Sequence, residues 1–179
     1  FVTEGSYVDD QQRVELVNCS FSKRGGKIIK RNGKEYDRIA DHVGNFPVVM
    51  VSPRDTDLIT DAAEERRRYL HSFISQLDKG YLQSMMRYNA VLAERNVFLK
   101  RSSDETMLQI YDMQLDVHGT HVYQERKRIV ECMQPLVNEY YSFLSEDREQ
   151  VEMTYGSELD DMPLKDILLR SRERDLVNQ

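Results

Sequence analysis

A change of rhythm near residue 60 constrains the fold more than any other feature of this sequence. From about Asp61 to Asn178 apolar residues recur at three- and four-residue steps, the spacing of one helix face. Before Ser52 the apolar runs are short, rich in β-favouring residues and divided by glycine-bearing turns. The expected fold class is α+β: a small antiparallel β part from about Val2 to Ser52, then an elongated bundle of antiparallel helices. The domain boundary is placed between residues 60 and 61.

In the β part, Val14–Val17, Cys19–Phe21 and Lys27–Lys30 read as strands. Lys23–Gly26 and Arg31–Lys34 read as turns, and Asn32-Gly33 suits a tight hairpin that needs positive φ at both central residues. A short helical turn is expected over Tyr36–His42. Val48-Val49-Met50-Val51 is apolar on both alternations, which reads as a buried strand, and Ser52-Pro53 ends it.

In the helical part, Asp61 and Glu64 have the spacing of a capping box for a helix running to about Gln76. A second helix is expected from Asp78 to Lys100, with Leu82, Met85, Met86, Asn89, Leu92, Asn96 and Leu99 facing inward. Asn89 and Asn96 would then be core amides. A third helix carries Met107, Ile110, Tyr111 and Leu115 and is capped near Gly119. A fourth runs from Val122 to Leu144, kinked at Pro135. Glu146–Asp161 reads as a solvated connection, and a last helix spans Pro163–Arg172.

Charge and cysteine content narrow the function. Net charge is −6, which argues against a whole-surface nucleic-acid binder. The charge is segregated, however: Lys23, Arg24, Lys27, Lys30, Arg31 and Lys34 form a basic block, and Glu146–Asp161 an acidic one. That basic block is the candidate for sequence-independent phosphate contact, against the competing reading of a charged, solvated sheet edge. Cys19 and Cys132 stand far apart and read as two buried thiols in a reducing cytoplasm. No run approaches the length of a membrane span, no secretory leader is visible, and Phe1 at the start reads as a processed or excised chain. His118 and His121 have a spacing usable by a metal, but a solvated turn is the favoured reading, so no metal site and no catalytic residue is expected.

The most informative stretch is Pro53 to His71. It combines a strand exit, a polar turn and a helix start bearing Arg66, Arg67 and Arg68. Cations near a helix N-terminus oppose its dipole, so these arginines are expected to have partners: phosphates, carboxylates or another subunit. Local pairing with Asp61, Glu64 and Glu65 is the competing reading.

This stretch resembles the signature of the RecF family. Pro53, Leu58, Ile59, Ala62, Arg66, Arg67, Tyr69 and Leu70 fit in register, while Arg54, Asp61, Ala63 and His71 depart from it. Downstream, Ser75-Gln76, Tyr81-Leu82, Tyr88, Leu92 and Glu94-Arg95-Asn96-Val97-Phe98-Leu99-Lys100 are similar to the family's following helix. Arg172-Glu173-Arg174-Asp175 looks like the segment that leads to its Gly-Pro-His-Arg-Asp-Asp motif.

The resemblance implies an ABC/SMC-like ATPase whose helical arm is inserted between the halves of its nucleotide site. Residues 1–60 would belong to the ATPase lobe and 61–179 to the arm. Such proteins use ATP and Mg, form ATP-dependent homodimers, bind DNA at single-strand/double-strand junctions and act with RecO and RecR to load RecA in gap repair. They have no membrane partner. Under this resemblance Ser52, Pro53, Asp55, Arg66, Arg67, Arg95 and Asn96 are the expected relay between ATP state and arm, with Arg95 reaching toward Asp55. No cofactor is expected on this stretch itself. A P-loop needs a first Gly where Phe21 stands and a Ser or Thr where Ile28 follows Gly25-Gly26-Lys27, so no ATP turnover by this chain alone is expected. A self-standing helical interaction module is the alternative reading, and a free-standing DNA binder a weaker third.

Overall fold

The computed structural model describes residues 1–60, 63–102 and 104–177. It divides into two units, Phe1–Asp55 and Thr56–Gln179.

The first unit is an antiparallel meander of four strands in sequence order: β1 (Val2–Val8), β2 (Val14–Ser22), β3 (Gly26–Arg31) and β4 (Lys34–Glu35). Asn32 and Gly33 turn β3 into β4 with φ of 51° and 79°, as the primed hairpin turn requires. The Asn32 amide oxygen also accepts from Leu16 N at 2.8 Å, extending the pairing past the end of β3. Val17 and Ile29 are buried on one face. Tyr7, Tyr36, His42 and Phe46 form a chain of ring contacts, with Tyr7 and Phe46 centroids 4.6 Å apart. The expected helical turn is a short 3₁₀ turn at Ile39–Asp41.

Val48–Val51 is not a strand. All four residues lie outside regular structure, and Val49, Met50 and Val51 are each more than four-fifths exposed. A strand apolar on both faces needs neighbours on both sides, and the sheet of this unit ends with the two-residue β4.

The second unit is helical: α1 (Asp57–Thr60), α2 (Ala63–Leu77), α3 (Lys79–Leu99), α4 (Glu105–Ser145) and α5 (Leu164–Val177). The expected capping box at Asp61 lies outside the described residues. A single residue, Asp78, separates α2 from α3. Its carboxylate caps α3, accepting from Gly80 N at 2.6 Å and Tyr81 N at 3.1 Å. Asp104 caps α4 in the same way through Met107 N. Helices α3 and α4 run antiparallel, since Tyr81 meets Arg126, Ser84 meets His121 and Arg95 meets Asp112. Their shared core is Ile74, Tyr81, Val122 and Ile129, with Leu70, Phe73, Met85 and Met133 packed against it.

The structure departs from expectation in the division of the helices, the role of Gly119, the inward face of α3 and the burial of the cysteines. The third and fourth helices are one helix of 41 residues, about 60 Å long. Gly119 is a packing position inside it, not a cap. A Cβ there would meet Leu164 Cδ2 at 2.5 Å and Tyr88 Cε2 at 3.1 Å. Pro135 also lies inside α4, which continues past it to Ser145. The inward face of α3 is rotated from the expected one. Tyr81, Leu82, Val91, Arg95 and Leu99 are buried, whereas Asn89 and Asn96 are exposed and are not core amides. Finally, Cys132 is exposed and Cys19 only half-buried.

The acidic stretch is more ordered than a solvated connection. Residues 151–159 are alternately half-buried and exposed, the period of an extended chain lying on a surface. Gln134 of α4 anchors it twice, donating to Val151 O at 2.8 Å and accepting from Met153 N at 2.6 Å. At its end Asp160 accepts from Lys127 Nζ at 2.7 Å and Tyr123 Oη at 2.5 Å. These donors hold its carboxyl down to about 2.

Candidate functional site: the arginine cluster and the basic hairpins

The joint begins as a turn closed on itself. The Asp55 carboxylate accepts from Ser52 N at 2.6 Å and from Ser52 Oγ at 3.4 Å, and Pro53 opens the 3₁₀ turn Pro53–Thr56. Nothing is described for the Arg54 side chain. Arg66 donates to Leu58 O at 2.9 Å, Arg67 pairs with Glu64 at 2.7 Å and Arg68 with Glu65 at 2.5 Å. These partners are all local, as the competing reading had it, and the three arginines are exposed. Such exposed pairs contribute little to stability. Arg66 and Arg67 also line a groove of about 680 Å³ whose other wall includes Met153 and Tyr155 of the extended segment.

Arg95 takes its partners within the helical unit. It is 2% exposed and enters a buried charge cluster joining three helices. Its Nε donates to Asp112 Oδ1 on α4 at 2.7 Å, and its Nη1 to Asp175 Oδ2 on α5 at 3.3 Å. Arg172 of α5 donates to the other oxygen of Asp112 at 2.6 Å. One buried carboxylate therefore receives two guanidinium groups, and α5 is fixed to the α3–α4 hairpin through it. Arg95 Nη2 and Arg172 Nε have no hydrogen-bond partner among the described residues. The sequence reading found Arg95 but missed Asp112 and Arg172 as its partners. A signal was present: Asp112 stands in line with Leu108, Leu115, Gly119 and Val122, an acid on a buried stripe.

A second cation lies in the α3–α4 core. Burial works against the charge of Arg126, but hydrogen bonds to the Tyr155 and Tyr81 hydroxyls outweigh it, and its pKa is raised. The same charge, after burial, pushes the pKa of His71 down. In the sheet, burial and then Lys27 and Arg31 push His42 down as well.

Both imidazoles thus bind fewer protons folded than unfolded below the free-histidine value of about 6.5. Stability is present above that value and is lost as pH falls through it. The melting temperature is expected to drop between about pH 7.5 and about pH 5.5. The drop should be smaller in His71→Gln, measured by thermal denaturation across that range.

The basic block does not converge on one surface. Lys23 and Arg24 are exposed in the β2–β3 turn, and Lys27, Lys30 and Lys34 are exposed on the strands. Lys30 lies opposite Asn18 and Glu35, whereas Lys27 and Arg31 point to the other face, opposite Phe21 and Val17. Arg31 is half-buried, ion-paired with Glu15 and stacked 5.4 Å from the Phe46 ring centroid. Its role here is to hold the sheet. His118 and His121 lie within continuous α4, not in a solvated turn.

Comparison with known proteins fixes the family context of this geometry. No family model matches the chain. The DNA replication and repair protein RecF of Parabacteroides distasonis is 43% identical over 177 residues, 98% of this chain and 48% of that protein. RecF of Bacteroides thetaiotaomicron is 40% identical over 179 residues, with 99% and 48% covered. The solved structure of the recombination mediator RecF-ATP in the RecFOR pathway superposes with a TM-score of 0.87 at 25% identity. It covers 99% of this chain and 51% of that one. This is a RecF-like chain. It spans about half the length of the RecF relatives it matches. The α+β fold, a four-stranded antiparallel sheet followed by long helices, is that of the matching part of RecF. Within it, Arg95 of the RecF-like Arg-Asn pair is the buried member and Asn96 the exposed one. No helix among the described residues is long and apolar enough to cross a membrane.

Proposed function

We propose that this chain is the arm and connector of a RecF-type, ATP-dependent DNA-binding protein of recombinational gap repair. The observation that carries this reading is agreement with RecF-ATP along 99% of the chain. The exposed run Val48–Val51 supports it, because four consecutive apolar residues in water call for a cover. In this reading the rest of a RecF-length protein supplies that cover, together with the ATP and Mg site. Residues 1–60 then form part of the ATPase lobe and 61–179 the arm. DNA at single-strand/double-strand junctions, RecO, RecR and a second copy in the ATP state are the partners, and the cytoplasm is the location.

The relay begins at Ser52, Pro53 and Asp55, continues through Arg66 and Arg67, and is received by Arg95 and Asn96. Arg66 and Arg67 serve it because their local partners are exposed and exchangeable. DNA contact falls to Lys23, Arg24, Lys27, Lys30 and Lys34. Arg31, already paired, contributes through the sheet.

The double variant Arg66→Ala/Arg67→Ala in the full-length protein is expected to weaken ATP-dependent pairing or DNA retention by about 10-fold, a loss of about 1.4 kcal/mol. Sedimentation with and without ATP and a salt-controlled DNA-binding titration check it. Wild-type behaviour in both assays would remove the relay.

A further inference from the structure

Among the described residues, a group of side chains with metal-ligating atoms converges from separate elements. Asp78 in the α2–α3 corner and His121 and Glu125 on α4 bring one ligand atom each to within 4.8 Å of one another. His121 and Glu125 share a helix face at i,i+4 spacing, and Asp78 is set by its cap hydrogen bonds to Gly80 N and Tyr81 N. The imidazole is oriented from outside the trio, with His121 Nδ1 2.9 Å from Ser84 Oγ on α3. That contact leaves Nε2 for another partner, the arrangement seen when a histidine binds a metal. Gly80 adds room: a Cβ there would lie 3.1 Å from Asp78 Oδ1 and 3.8 Å from His121 Cε1.

We propose that Asp78, His121 and Glu125 form a binding site for a divalent transition metal ion that clips the α2–α3 corner to α4. An imidazole with two carboxylates suits Zn²⁺, Mn²⁺, Co²⁺ or Fe²⁺ better than Mg²⁺ or Ca²⁺, which take oxygen ligands. The charge fits. Two carboxylates with a neutral imidazole carry −2, and Arg128, paired with Glu125 at 2.7 Å, offsets only one. Glu125 engages Arg128 through Oε2, so the ion competes with Arg128 for one carboxylate and not for the histidine. Three protein ligands leave coordination positions for water. The site is independent of the arm reading and needs no ATP.

The test is a calorimetric titration of the chain with Zn²⁺ alone, repeated with Co²⁺ and read by its visible absorption bands. One ion per chain is expected. His121→Asn and Glu125→Gln should abolish the saturable phase. Ser84→Ala, which frees the ring, should weaken it by about 10-fold, and His118→Ala should leave it unchanged. Each variant is checked for helical circular dichroism. Should one fail to fold, line broadening of the His121 and Asp78 signals by substoichiometric Mn²⁺ in the unmodified chain gives the same answer. Absence of one-to-one binding, equal binding by all variants, or loss in His118→Ala but not in His121→Asn would overturn the proposal.

Discussion

Asp112→Ala is expected to lower the free energy of unfolding by about 3–5 kcal/mol. The alanine leaves Arg95 and Arg172 in place without the carboxylate they share. Arg95 is 2% exposed and cannot regain water without opening the hairpin. Asp175 reaches Arg95 at 3.3 Å but is 27% exposed, and it compensates only in part. Given a typical stability of about 5–15 kcal/mol for a domain, much of the margin disappears. Urea denaturation followed by circular dichroism measures it. A triple replacement, Arg95→Met/Asp112→Leu/Arg172→Met, should recover most of the loss. An apolar set of similar volume carries no desolvated charge. Recovery would separate the cost of unpaired charge from the cost of lost packing.

Gly119→Val is expected to cost about 1–3 kcal/mol by overpacking, while Gly119→Ala should cost much less. The first clash of any Cβ is with Leu164 Cδ2, the free end of a rotatable side chain. Alanine also gains about 1 kcal/mol over glycine inside a helix. Valine adds two further carbons toward the Tyr88 ring, whose nearer atom is already 3.1 Å from the added Cβ. The effect should concentrate where α5 begins. Limited proteolysis between residues 146 and 163 is therefore expected to accelerate in the valine variant and not in the alanine one. Equal cleavage of the two would mean that Gly119 does not govern the docking of Leu164.

The sequence was most legible where its rhythm was local. The Asn32-Gly33 turn, the strand stretches Val14–Val17 and Lys27–Lys30 and the helices α2 and α3 follow from backbone preferences that act within a few residues, whereas β1 and the single course of α4 did not show. Legibility failed where the deciding partner was distant. Helical spacing counted from Leu82 placed Asn96 inside and Arg95 beside the core. Burial of Arg95 depends on Asp112, 17 residues away, and on Asp175, 80 residues away. Gly119 carries the same sign as a helix cap, and only the approach of Leu164 tells the two apart. Val48–Val51 has a strand's composition without strand neighbours in its unit. At the site, the partners found for the arginines after Ala63 are the adjacent carboxylates and a carbonyl. The basic block was visible as a run, but its division between two sheet faces follows from pairing register, which a list of charges does not contain.

The unbroken course of α4 has a mechanical consequence. A helix of 41 residues behaves as a beam, with Pro135, which removes one backbone hydrogen bond, as a weak point ten residues before its end. A tilt of about 10° at one end sweeps the opposite end through about 10 Å. Because the Asp112 cluster sits near the beginning of that beam, a small rearrangement there is enlarged toward Tyr140, Phe143 and Leu144, whose side chains stand in water at its far tip.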